Sequence, residues 1–77
     1  MVTAREIGEL CRAGDWAVVH DDRAALAEVV RKLAWMVGEP LHCECIALVE
    51  LCRHDPRRAL ARWPALRERA FRVEPPA

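Results

Sequence analysis

The residues with the most chemical potential lie in one run, His42-Cys43-Glu44-Cys45, followed shortly by Cys52-Arg53-His54. Thiolates and imidazoles at this density suit a tetrahedral zinc site, whose ligands stand ~2.0–2.3 Å from the ion. The spacing argues against one. Ligands on a helix converge at i,i+3 or i,i+4, whereas Cys45 and Cys52 lie two turns apart, about 10 Å of helix rise, and Cys43 points away from both. Only His42 and Cys45 have a workable spacing, and a site built on them has to borrow Cys11 from another helix. Free cysteine commonly serves as a small core hydrophobe. Cys11, Cys45 and Cys52 are therefore assigned to the core and no metal or other cofactor is expected. A metal or thiol sensor built on Cys11, Cys45 and His42 ranks third among the functional readings.

His20-Asp21 and His54-Asp55 form a second set. Each dipeptide resembles the metal-binding HD pair of phosphohydrolases, but the resemblance covers two residues and such a site needs further His and Asp ligands from distant helices. Both aspartates stand beside a helix start, where a carboxylate caps free backbone N–H groups, so the histidines are read as residues preceding a cap. The sequence offers no nucleophile with a neighbouring base, no glycine-rich phosphate loop and no paired carboxylates in an apolar setting. A non-enzymatic protein with no catalytic residues is expected.

Charge supplies a third candidate. The chain carries twelve basic and twelve acidic residues, yet residues 1–52 hold five against nine and residues 53–72 hold seven arginines against Asp55 and Glu68, so these parts stand at about −4 and +5. Arg58, Arg62 and Arg69 fall on one line of a fourth helix, and a basic stripe of this kind can engage an anion or nucleic acid. A reading element is missing. Two helices joined through Gly38 resemble a helix-turn-helix, but the would-be recognition helix presents His42, Cys43 and Glu44, poor partners for base edges. A nucleic-acid-associated regulator is the alternative function, and plain solvation of the helix faces is the simplest account of the charges.

Trp35 is the more pointed residue. On a helix over residues 21–37 it falls almost opposite the apolar stripe, beside Arg31 and Lys32. A large aromatic on a charged face either packs within the chain or marks a contact with another one, and Trp with Arg is a typical hot-spot composition. Trp35, Arg31 and Lys32 form the candidate protein-interaction surface. The leading functional expectation is a small helical interaction or adaptor module that pairs with another protein or with itself.

These residues must be positioned by helices. Seventy-seven residues, Ala- and Leu-rich with three glycines and no alternating apolar run, give an all-α expectation: four helices in two antiparallel hairpins forming a small bundle, one domain over residues 1–72, and a disordered tail over 73–77. A core of this size yields only roughly 3–5 kcal/mol. Thr3 and Glu6 have capping-box spacing, so helix 1 starts at Ala4. Ala13-Gly14 should end it, with Asp15 capping a short turn over 16–19, and a single helix bent across Gly14 is the alternative. Gly8, inside this helix, is expected at a close approach to a neighbour. Asp22 caps the second helix, whose stripe is Leu26, Val29, Val30, Leu33 and Val37, and Gly38 closes it. After a turn at Glu39-Pro40, residues 41–53 make a third helix, apolar over more than half its circumference and expected to be the most buried. Asp55-Pro56 starts the fourth, with Leu60, Trp63, Leu66, Ala70 and Phe71 inward and a kink or restart at Pro64.

A faint internal repeat supports the hairpin pairing: HDDRAALA at residues 20–27 recurs as HDPRRALA at 54–61, and Cys11 matches Cys45 at the same offset of 34. That period resembles tetratricopeptide repeats, whose stacked hairpins bind peptides and proteins. Trp63 and Leu66 meet part of the family's pattern, and Arg67 stands where its glycine belongs. The N-terminus lacks a basic start and an apolar core segment, and the longest apolar run, residues 33–37, is far too short to cross a bilayer. The cytoplasm and reduced thiols are expected.

Overall fold

The computed structural model describes residues 3–72, so the tail expected at 73–77 lies outside it. It contains α1 (Ala4–Val19), α2 (Arg23–Ala34), α3 (Leu41–His54) and α4 (Pro56–Arg72), and no strand among the described residues. Consecutive helices pack side by side, α4 closes back on α1, and α2 touches α4 across the diagonal, while α1 and α3 do not meet. Glu44, near the start of α3, pairs with Arg69, near the end of α4, which fixes that pair as antiparallel.

α1 begins as its sequence requires, with the Thr3 hydroxyl accepting from the Glu6 N–H at 3.2 Å. It then runs straight through Gly14 to Val19. The stop lies at Asp21, whose φ of 53° is left-handed. Around it the Asp22 N–H donates to the Ala17 carbonyl at 2.8 Å and the Asp21 N–H to that of Val18 at 3.1 Å. This is the Schellman arrangement, with aspartate in the place glycine usually takes. Gly14 is spent on packing instead. It is buried, and a Cβ there would lie 2.6 Å from both Cε2 and Cη2 of Trp63. The close approach expected at Gly8 is absent, since a Cβ at that position would meet nothing within 4 Å.

Asp22 caps α2 as expected, accepting from the Ala25 N–H at 3.0 Å. Leu26, Val29, Val30 and Leu33 are buried, as is Val37 beyond the helix end. The helix stops at Ala34, before Gly38, which is not in a left-handed conformation. Bonds from the Trp35 N–H to the Lys32 carbonyl and from the Met36 N–H to that of Leu33 tighten its last turn.

α3 buries Leu41, Cys45, Leu48 and Cys52, but Ile46 is exposed and Val49 and Leu51 are half-buried. The most enclosed helix is α2, five of whose 12 residues are buried against four of 14 in α3, and α3 packs on α2 and α4 but not on α1. Asp55 caps α4 through the Arg58 N–H at 3.3 Å, and Pro64, on the exposed side, does not interrupt it. Ala59, Trp63, Leu66 and Ala70 face the core, while Phe71, expected inside, is exposed.

Burial tests the repeat. Ile7, Cys11 and Gly14 of α1 correspond to buried Leu41, Cys45 and Leu48 of α3 at the offset of 34. In the second helices the buried positions match at 33, pairing Leu26 with Ala59, Val30 with Trp63 and Leu33 with Leu66. Caps Asp22 and Asp55 keep that same register. The HD-type sequence match at 34 is thus one residue out of step with the structure of α2 and α4, because α1 and α2 are joined through an extra residue at Asp21.

Candidate interaction surfaces

The last turn of α2 brings Arg31, Lys32 and Trp35 to one end of the molecule. Trp35 is 79% exposed. Its indole meets the His42 imidazole edge-on, with centroids 5.9 Å apart and planes at 63°. His42 Nδ1 lies 2.6 Å from the carbonyl oxygen of Ala34. A carbonyl only accepts, so this nitrogen carries the proton and the ring caps the C-terminus of α2 from the first turn of α3. Arg31 pairs with Glu28 at 3.4 Å, both side chains more than half exposed, and Lys32 is exposed. The two cations also face the negative end of the helix dipole. The sequence pointed to Trp35 but missed His42 as its support. A histidine two residues after a proline turn, at the start of a helix, was the available signal.

The arginine line is divided by its partners. Arg58 lies 3.8 Å from Asp55, the cap of its own helix, and Arg69 is held by Glu44 across the seam with α3. Arg62 forms no ion pair among the described residues. Arg62 and Arg69 line a groove of about 300 Å³ between α3 and α4, floored by Ala47, Leu48, Leu51, Ala65 and Leu66. Arg58 does not border it.

Asp15, expected as a cap, ties α1 to α4. One carboxylate oxygen accepts from Trp63 Nε1 at 2.9 Å and the other from Arg67 Nε at 2.8 Å. Arg67 in turn lies over the Phe71 ring, 5.8 Å from its centroid. At the far end of α1, the half-exposed Trp16 stacks on His20 at 4.1 Å.

Cys11, Cys45 and Cys52 are buried in the core and Cys43 is exposed. Burial pushes the Cys45 thiol up to about 11, and raises those of Cys11 and Cys52. Cys43 is also raised, chiefly by a hydrogen bond to the Glu39 carboxylate that holds its proton. None is an activated thiolate near neutral pH. Among the described residues no three His, Cys, Asp or Glu side chains are grouped to hold a metal ion, and no helix is long and apolar enough to cross a membrane. Compared with models of protein families, with curated proteins and with solved structures, the chain matches none.

Proposed function

We propose that the chain is a non-enzymatic, cytoplasmic protein-interaction module whose contact face is the C-terminal turn of α2, with Trp35 at its centre and Arg31 and Lys32 at its rim. Its partner is another protein or a second copy of itself. The observation that carries this reading is the 79% exposure of Trp35 on a charged face. A wet indole leaves apolar surface unburied that a partner can cover, and central Trp anchors typically contribute at least about 2 kcal/mol to binding. The edge contact with His42 restricts the ring before a partner arrives, which lowers the entropy lost on association.

The nucleic-acid alternative has less support. Its stripe needs Arg58, Arg62 and Arg69 to meet phosphates, yet two of the three already face a carboxylate.

The test is a pull-down with the tagged full chain from lysate of its own host, with and without nuclease, alongside sedimentation of the purified protein over a range of concentrations. A defined partner, or a dimer, that survives nuclease and weakens by about thirtyfold or more in Trp35→Ala is expected. The variant should keep its stability to within about 0.5 kcal/mol, since an exposed side chain holds little of the fold. Association unchanged in Trp35→Ala, or material lost on nuclease treatment, overturns the reading.

A further inference from the structure

We infer that the groove between α3 and α4 is a second docking site, taking an amphipathic helical segment of a different protein that carries an acidic residue beside its apolar stripe. The groove lies on the opposite flank of α3 from His42 and Trp35, so it is separate from the face at the end of α2. Its floor is aliphatic, and the alanines at 47 and 65 leave the seam open where larger side chains would close it. Glu44 to Leu51 on one wall and Arg62 to Arg69 on the other each span two helical turns, about 10 Å. That length suits apolar side chains at i, i+4 and i+7 of an incoming helix.

The charges select the occupant. One end of the groove is neutralised, because Glu44 and Arg69 bridge it. The other end presents Arg62, which has no ion-pair partner among the described residues, on the wall that belongs to the +5 part of the chain. A carboxylate on the occupant completes that end, and a basic occupant is repelled from it. The exposed large apolar residues of this chain, Trp16, Val19, Trp35, Ile46 and Phe71, nowhere form an i, i+4, i+7 stripe, so a second copy supplies no matching helix from its described residues. Nucleic acid fits less well, since the floor has no aromatic ring for base stacking.

The experiment is selection from a displayed library of random peptides of about sixteen residues, roughly four helical turns, on the immobilised full chain. Enriched peptides are then synthesised and titrated against wild type, Arg62→Glu, Ala65→Leu, Ala47→Leu and Trp35→Ala. The three groove positions are exposed, and circular dichroism checks that each variant keeps its helices. Enriched peptides should carry apolar residues at helical spacing with a neighbouring Asp or Glu. Their affinity should fall by about tenfold or more in Arg62→Glu and in either leucine variant, and stay unchanged in Trp35→Ala, so that this site and the α2 face fail independently. No enrichment over bare support, enriched sequences without acidic residues, affinity indifferent to all three groove variants, or loss in Trp35→Ala overturns the inference. So does an oligo-dT strand whose binding is lost in Arg62→Glu, which would give the wall to phosphates.

Discussion

Replacing Gly14 by alanine places a methyl group inside the space the Trp63 indole now fills, 2.6 Å from two of its ring atoms. Trp63 is 1% exposed and its Nε1 is held by Asp15, so the ring has little room to withdraw. Alanine gains about 1 kcal/mol over glycine from helix propensity. Against that, overpacking a dense core costs roughly 1–3 kcal/mol, and displacing the indole weakens a hydrogen bond to a charged acceptor, worth about 1.5–3 kcal/mol. The net expectation is a loss of roughly 1.5–5 kcal/mol, a large share of the stability of so small a domain. Gly8→Ala, in the same helix and facing open space, keeps only the propensity gain and should stabilise by roughly 0.5–1 kcal/mol. Urea unfolding followed by helical circular dichroism measures both. Opposite signs at the two glycines are expected, and a Gly14→Ala protein as stable as wild type refutes the packing argument.

Two further outcomes follow from groups at the helix ends and in the core. Cys45 holds its proton to about pH 11 when folded against an ordinary 9.0, so the native state binds more protons in that window. Stability should therefore be level below pH 9 and fall by up to about 2–3 kcal/mol as pH rises through the window. With no tyrosine and a single lysine, the other side chains that titrate there are chiefly Cys11, Cys43 and Cys52, whose thiols are raised as well, so they add to the fall and Cys45→Ala removes only its own share. Urea midpoints against pH should show a shallower fall in Cys45→Ala, and an identical slope would exclude burial of this thiol as the cause. His42→Ala removes the hydrogen bond to the Ala34 carbonyl, worth about 1 kcal/mol, and should lower the melting temperature by roughly 4–8 °C. An unchanged melting temperature would mean that the ring does not cap α2.

What the sequence made legible is what depends on neighbours along the chain. The caps at Thr3, Asp22 and Asp55 and the buried stripe of α2 follow from helical periodicity and short-range hydrogen bonding, and each is found in the structure. The same periodicity set Trp35 almost opposite that stripe but left open whether it packs within the chain, and in the fold it is exposed. The misses share a different cause. Ala13-Gly14-Asp15 reads locally as a helix stop, with a single helix bent across Gly14 as the alternative, and nothing nearby decides between the two. What decides the role of both Gly14 and Asp15 is Trp63, 48 residues beyond Asp15. The ring occupies the space above the glycine while its N–H takes the aspartate, so one distant side chain converts a stop signal into the contact between α1 and α4. The charges of the candidate surfaces divide in the same way. Arg58 is satisfied three residues back by Asp55, which the spacing alone reveals. Arg69 is satisfied by Glu44 of another helix, and only the packing of α3 on α4 leaves Arg62 as the cation without an ion-pair partner in the groove. A stripe of three equivalent arginines in the sequence becomes, once folded, a single charge at the end of an aliphatic trough, which is an arrangement for one carboxylate more than for a phosphate backbone.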